Sequence, residues 1–82
     1  MKKILVIDDE WKIRKLIKDY LVREGYIVDE AGDGEEGIEK FFSNIYDIVI
    51  LDIMMPKIDG WSVCRKIREE SQVPIIMLTA RA

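Results

Sequence analysis

Residues 47–60 read DIVILDIMMPKIDG: an unbroken apolar run ends at a carboxylate, Asp52, and a Met-Met-Pro turn follows. Continuous rather than alternating apolarity predicts a strand buried on both faces, and such strands belong to parallel sheets covered by helices. Pro56 cannot donate a backbone hydrogen bond and Gly60 tolerates unusual dihedral angles, so the strand must give way to a loop soon after Asp52. The stretch therefore predicts a carboxylate at the carboxyl end of a buried parallel strand.

The remaining chain alternates strands and helices around this stretch. Further strands are predicted at residues 3–7, 26–30 and 75–78, with helices over about 11–23, after residue 33 and from about residue 60. Local signals support these limits, because a helix-ending glycine, a capping box and an N-cap fit Gly25, Asp33 with Glu36, and Asp59. The alternation predicts a single α/β domain with a parallel sheet and right-handed crossovers.

Each helix is predicted to be amphipathic. In the first, a buried stripe is expected at Ile13, Leu16, Ile17, Tyr20 and Leu21, with the charged residues Lys12, Arg14, Lys15, Lys18, Asp19 and Arg23 facing away. The inner faces of the others are expected at Ile38, Phe41 and Phe42, and at Val63, Cys64 and Ile67. Trp11 and Trp61 each begin a helix; packing is their predicted role, and contact with a partner surface is the alternative.

Composition excludes several classes of function. The 82 residues carry 13 basic and 16 acidic side chains, a net charge of −3, which provides no basic surface for nucleic acid or for a membrane. There is no histidine, so histidine nucleophile pairs and histidine metal ligands are absent. A single cysteine, Cys64, excludes an internal disulfide or a thiolate zinc site. No apolar run could cross a bilayer and no signal peptide precedes the first strand, so the expected location is the cytoplasm.

Acidic residues end both central strands. If the first strand lies between the second and third, Asp8, Asp9 and Asp52 converge at the carboxyl edge of the sheet, where open parallel sheets bind ligands. Two carboxylates about 4 Å apart repel by roughly 4 kcal/mol at an effective dielectric constant of 20, so the cluster calls for a cation. Oxygen ligands at an open edge suit Mg²⁺. The alternative for Asp8 or Asp9 alone is a helix cap or an Asx turn; for Asp52 capping is a weak explanation, since no helix directly follows it.

Thr79 closes the fourth strand at the same edge of the sheet. Its hydroxyl could face the acidic cluster, although β-branched residues are also common in strands for packing reasons alone.

Three motifs give the chain a resemblance to a known family. VIDDE at 6–10, LDIMMPKIDG at 51–60 and PIIMLTAR at 74–81 resemble the receiver domain of two-component response regulators, especially those of the winged-helix transcription-factor branch. The motifs occur in the family's order and spacing, and the likeness runs over the whole chain. It implies a flavodoxin-like sheet with strand order 2-1-3-4.

The resemblance also implies roles for individual residues. Asp52 would be the phosphoacceptor, forming an aspartyl phosphate with a group from a histidine of a sensor kinase. Asp9, Asp52 and the backbone carbonyl of Met54 would bind Mg²⁺, and Asp8 would act through a bound water. Thr79 would be the switch residue, with the backbone of Ala80 beside it. The protein would then be a signalling switch that regulates transcription through an output domain, rather than an enzyme.

The chain departs from the family pattern after its fourth strand. Receiver domains have five strands and five helices, so residues 1–82 are expected to be the N-terminal part of one, without the fifth strand, the last two helices and the family's lysine. The apolar fourth strand then becomes a sheet edge, which predicts self-association or domain swapping through it.

Two other functions stay open. An inert or self-associating half-domain would keep the acidic residues without phosphoryl chemistry. An Asp-nucleophile phosphatase would commonly need a second acid two residues after the nucleophile, where this chain has Met54.

Overall fold

The computed structural model describes residues 1–78. Strands and helices alternate along the chain: β1 (Lys3–Ile7), α1 (Trp11–Arg23), β2 (Ile27–Ala31), α2 (Gly34–Ser43), β3 (Ile48–Asp52), α3 (Gly60–Arg68) and β4 (Ile75–Leu78). All pairings are parallel and the strand order is β2-β1-β3-β4, which confirms the predicted flavodoxin-like sheet. No helix within these residues combines the length and apolarity needed to cross a membrane.

The two faces of the sheet pack against different helices. On one face, Leu5, Ile7, Val49 and Leu51 form a core with residues of α2 and α3, among them Phe41, Val63 and Ile67. On the other face, Ile4, Val6 and Val28 pack against Ile17 and Leu21 of α1. β1 is therefore covered from both sides, as its continuous apolar sequence predicts, whereas β3 is fully buried on one face only: Val49 and Leu51 are buried, and Ile48 and Ile50 are partly buried.

The predicted apolar stripe of α1 is only partly buried. Ile17 and Leu21 face the sheet, but Leu16 and Tyr20 are 69% and 59% exposed. The reason is the position of the helix: α1 packs over β2 and β1, so its other flank borders an open groove of about 450 Å³ that reaches Ile50 on β3. Within residues 1–78, no helix covers that side of β3 and β4.

Three other predicted apolar contacts also differ. Phe42 is largely exposed on α2, whereas Phe41 fills the core position next to it. Trp11 and Trp61 are 59% and 53% exposed, so packing, their predicted role, involves less than half of the surface of each residue. Trp11 is the first residue of α1 and Trp61 is the second residue of α3, so each lies at the start of a helix.

Local backbone interactions set the helix ends. Gly25 has φ of +96°, its N–H donates to Val22 O at 3.0 Å, and the N–H of Tyr26 donates to Leu21 O at 3.0 Å. This Schellman motif ends α1 and uses the N–H of Tyr26, so β2 begins one residue later than predicted. The cap of α3 is confirmed, because Asp59 Oδ1 accepts the N–H of Ser62 at 2.8 Å.

The cap of α2 departs slightly from the predicted capping box. Asp33 Oδ1 accepts the N–H of Glu36 at 2.8 Å, as expected. The Glu36 carboxylate, however, accepts the N–H of Gly32 at 2.8 Å rather than that of Asp33. The bond to Gly32 ties the β2–α2 loop to the helix. The same bond, together with the nearby Lys40, lowers the pKa of Glu36 below its usual value.

Candidate functional site

The carboxyl ends of β1 and β3 bring three aspartates together. Ile7 and Leu51 are register partners, so the residues that follow them, Asp8 and Asp52, emerge side by side. Carboxylate oxygens of Asp8, Asp9 and Asp52 all lie within 4.8 Å of one another. Asp8 is buried, Asp52 is half-buried and Asp9 is exposed, so the cluster opens to solvent on one side. The convergence predicted from the strand order is present in the structure.

Two of these carboxylates are held by the backbone of their own loops. Asp8 Oδ1 accepts the N–H of Glu10 at 2.9 Å, and Asp52 Oδ1 accepts the N–H of Met54 at 3.2 Å. Asp8 therefore does form a local Asx-type turn, the alternative considered for it. Neither Asp8 nor Asp9 caps α1, whose N-cap is Glu10. Each turn leaves oxygen atoms of the two side chains available to a ligand.

The cluster is electrostatically unfavourable by itself. Burial raises the pKa of Asp52, and the nearby charge of Asp8 raises it further. Burial is also the main reason why the pKa of Asp8 is raised, with the charges of Asp9 and Glu10 adding to it. Both shifts mean that the site disfavours its own negative charge, so a cation bound there would be favoured. Three convergent carboxylates with an open side also fit the oxygen preference of a hard divalent ion.

The loop after Asp52 is held close beneath the site. The N–H of Gly60 donates to Ile53 O at 2.8 Å, which brings the start of α3 against the end of β3. Lys57 lies in the left-handed region at φ of +67°, where residues other than glycine are uncommon. Met55 is buried in the core below the loop, whereas Met54 is 64% exposed. The loop therefore presents its backbone and Met54 toward solvent beside Asp52.

Sequence reasoning missed Arg14. It was assigned to the solvent face of α1, but its Nη1 donates to the backbone carbonyl of Asp8 at 2.8 Å and its Nε pairs with Glu30 at 3.1 Å. Lys18, also assigned to that face, pairs with the same carboxylate at 3.4 Å. The position of Arg14 could have indicated this contact, because a basic residue in the first turn of a helix lies next to the loop that precedes the helix.

Other predicted residues fall around or beyond the cluster. Trp11 and Asp9 line a shallow hollow of about 330 Å³ together with Glu10 and Lys12. Cys64 is half-buried and packs against the core, as a small apolar residue would. Thr79 and Ala80 lie outside the described residues.

Comparison with known families and proteins gives consistent matches. The family described as the response regulator receiver domain matches residues 4–82. The transcriptional regulatory protein ResD of Bacillus subtilis is 56% identical over 79 residues, which cover 96% of this chain and 33% of ResD. The chain thus spans about a third of the length of the curated relatives it matches.

Solved structures extend the likeness to the fold. The response regulator TrrA of Thermotoga maritima, crystallised in complex with Mg²⁺-BeF, is 53% identical with a TM-score of 0.93, over 100% of this chain and 72% of that chain. A second structure of TrrA, in complex with the histidine kinase ThkA, has a TM-score of 0.91 at 53% identity, over the same shares of both chains.

Proposed function

The chain belongs to the response regulator receiver domain family, and we propose that its Asp52 accepts a phosphoryl group from a histidine of a sensor kinase in a Mg²⁺-dependent reaction. The observation that carries the proposal is the convergence of Asp8, Asp9 and Asp52 within 4.8 Å at the carboxyl edge of the sheet. Asp52 has a raised pKa, lies beside two other carboxylates and is open to solvent. Such a site is suited to bind a cation and to receive a phosphoryl group.

The proposed phosphoryl transfer forms one bond to phosphorus and breaks one. An oxygen of Asp52 forms a new bond to phosphorus while the phosphorus–nitrogen bond of the donor histidine breaks, and the electron pair of that bond stays on the histidine nitrogen. The Met54 N–H, 3.2 Å from Asp52 Oδ1, orients the accepting carboxylate. Positioning of this kind contributes much of the rate in phosphoryl transfer. The donor must be a partner, because this chain has no histidine.

The cation would be held by the side chains of Asp9 and Asp52 and by the backbone carbonyl of Met54, with Asp8 acting through a water. When bound, Mg²⁺ would neutralise negative charge on the carboxylates and on the phosphoryl oxygens. Thr79 and Ala80 keep their proposed switch role, in which the threonine hydroxyl turns toward the phosphoryl group. The crystallised complexes of TrrA with Mg²⁺-BeF and with ThkA support both the cation and the kind of partner.

The role in the cell is proposed from the relatives. Residues 1–82 would be the N-terminal part of a receiver domain, and its phosphorylation would control transcription through an output domain, as the name of ResD suggests. We propose a cytoplasmic location and no direct nucleic acid contact by this chain, whose net charge is −3. The relatives are transcriptional regulators, which favours a switch over the phosphatase alternative.

The test is phosphorylation by acetyl phosphate with MgCl₂, followed by intact mass. One added phosphoryl group is expected on the wild-type chain, none on Asp52→Asn and none after chelation of the metal. Asp19→Asn is the matched control, because Asp19 lies on the exposed face of α1 and pairs only with Lys15 among the described contacts. Labelling that persists in Asp52→Asn would contradict the assignment, and no labelling of the wild type would favour the inert half-domain.

A second proposal concerns self-association. β4 lies at the sheet edge of the described residues. The carbonyl of Pro74, just before β4, accepts the N–H of Val49, and the carbonyl of Leu78 accepts the N–H of Ile53, just after β3. Backbone groups alternate in direction along a strand, so those of Ile75 and Met77 point outward, where a second copy could pair with them.

Light scattering over a range of concentrations tests this proposal. We expect the average mass to rise with concentration, and Ile76→Lys to reduce the rise by adding charge to the edge strand. Ile45→Lys is the control, since Ile45 is 89% exposed in a loop away from the edge. A strictly monomeric mass at high concentration would contradict self-association.

A further inference from the structure

We propose that Arg14 is a positioning residue, which holds the Asp8–Asp9 loop in the geometry that binds the divalent cation. The inference rests on the proposed function and assigns Arg14 a part in it. Its guanidinium spans two elements: Nη1 donates to the carbonyl oxygen of Asp8 at 2.8 Å, and Nε donates to Glu30 Oε1 at the end of β2 at 3.1 Å.

The anchor for this bridge is itself well fixed. Glu30 receives Arg14 on one carboxylate oxygen and Lys18 on the other, at 3.4 Å. Its backbone carbonyl accepts the ammonium group of Lys40 from α2. The side chain of Arg14 is only 19% exposed, so the bridge is shielded more than an ordinary surface ion pair. Arg14 therefore links the acidic loop to a point held by both α1 and α2.

Three hydrogen bonds hold the backbone and the carboxylate of Asp8 in place. Its N–H donates to Ala31 O at 3.2 Å, its carboxylate accepts the N–H of Glu10, and its carbonyl accepts Arg14. Of these three bonds, only the last comes from a side chain of another element. Substituting Arg14 would release the carbonyl and allow the peptide between Asp8 and Asp9 to rotate, which would move both carboxylates.

Whether substitution of Arg14 weakens or strengthens cation binding shows whether Arg14 acts by positioning the ligands or by its charge. A guanidinium beside a cation site repels the cation, so an arginine acting through its charge alone would weaken binding, and its removal would strengthen binding. An arginine that positions the ligands has the opposite effect, because removing it disorders them. Lysine keeps the charge but cannot supply the planar pair of donors that spans Asp8 and Glu30. Arg14→Lys and Arg14→Met should therefore weaken cation binding together.

The experiment is calorimetric titration of the chain with MgCl₂. Both Arg14 variants should bind about tenfold more weakly than wild type, the usual order for loss of an outer-shell contact to a metal site. Arg23→Lys and Arg23→Met are matched controls, since Arg23 is exposed at the far end of the same helix, and they should leave the Kd unchanged. Unchanged or tighter binding by the Arg14 variants would overturn the inference and leave the proposed function standing.

A readout on the metal-free chain supplements the titration. Hydrogen exchange of the Glu10 amide, which donates to Asp8 Oδ1, should be faster in both Arg14 variants at equal global stability. A purely structural role would lower the free energy of unfolding without changing the Kd. If an Arg14 variant does not fold, Glu30→Gln removes the charge of the anchor and should weaken binding in the same direction. No Mg²⁺ binding by the wild type would overturn the proposed function and this inference with it.

Discussion

Gly60 lies so close to the end of β3 that a β-carbon built on it would stand 2.3 Å from the carbonyl oxygen of Asp52 and 2.7 Å from the α-carbon of Ile53. Both atoms belong to the backbone and cannot move aside without moving the strand. The N–H of Gly60 also donates to Ile53 O at 2.8 Å. The first residue of α3 therefore packs directly against the backbone at the end of the proposed phosphoacceptor strand.

Gly60→Ala should lower the free energy of unfolding by about 3 kcal/mol, the upper range for overpacking, because α3 must separate from β3. Urea unfolding followed by circular dichroism measures the loss. Gly32→Ala is the control: its β-carbon would meet Arg14 Nη1 at 3.5 Å, an ordinary contact, and the expected loss is below about 1 kcal/mol. Equal losses in the two variants would refute the close approach at Gly60.

Asp52→Asn should stabilise the metal-free chain at neutral pH by about 1 to 2 kcal/mol, because it removes one of three crowded charges. The pKa of Asp52 is raised in the folded state, chiefly by burial, so the folded state binds its proton more tightly than the unfolded state. This contribution is full below about pH 3.9, the ordinary aspartate pKa, and is lost as pH rises through the folded-state pKa. The gain from asparagine should therefore appear as pH rises.

Thermal unfolding of both chains from pH 4 to pH 8, with and without MgCl₂, tests this expectation. The cation should raise the stability of the wild type and largely cancel the advantage of the variant, because ligands stabilise the state that binds them. Asp19→Asn should show no gain over the wild type as pH rises and should be stabilised by the cation as the wild type is, since Asp19 makes an exposed pair with Lys15. A destabilised Asp52→Asn in the absence of metal would contradict the charge argument.

Two substitutions of Lys57, to asparagine and to valine, should change the free energy of unfolding in opposite directions. At φ of +67°, asparagine is better tolerated than lysine, and a β-branched side chain is tolerated least. Lys57→Asn should raise the free energy of unfolding by about 0.5 kcal/mol and Lys57→Val should lower it by about 1 kcal/mol. Chemical denaturation measures both, and the same sign for the two variants would show that the backbone conformation is not the cause.

Tyr46→Phe should destabilise the chain by about 1 kcal/mol, the usual net value of a hydrogen bond. The hydroxyl donates to Asp29 Oδ2 at 2.7 Å, and the pKa of Tyr46 is raised mainly by burial and also by this bond. Lys3 remains 3.6 Å from Asp29 and keeps the carboxylate paired, which limits the loss. Phosphorylation of Asp52 should be unaffected, because Tyr46 precedes β3 at the amino end of the sheet. A labelling defect in this variant would contradict that separation.

The acidic cluster could be predicted from sequence because most steps depended on a local signal. Continuous apolarity marked β3 as buried, and both central strands ended directly in aspartate. The rule that parallel strands align their carboxyl ends then brought Asp8 and Asp52 together. One step was not local: Asp8 and Asp52 converge only if β1 lies beside β3, and that strand order came from the family resemblance.

Where sequence reasoning failed, the deciding contact was distant in sequence. Periodicity gave the spacing of Leu16 and Tyr20 but not which flank of α1 the sheet would cover. Arg14 looked like a solvent-facing residue because its partner, Glu30, is 16 positions away. The roles of individual aspartates depend on chemistry that no pattern of strands and helices specifies, so they stay predictions.

The two ends of the sheet differ in the charges that they carry. At the amino end, Lys3 N–H donates to Asp47, Asp47 N–H to Lys3 O and Ile27 N–H to Lys2 O, so that β1 is tied to β2 and to the start of β3. The opposite end carries mutually repelling charges on loops. A gain or loss of charge at the carboxyl end would therefore act on the loops that carry the aspartates. The strand register, which the bonds at the amino end help to hold, would stay unchanged.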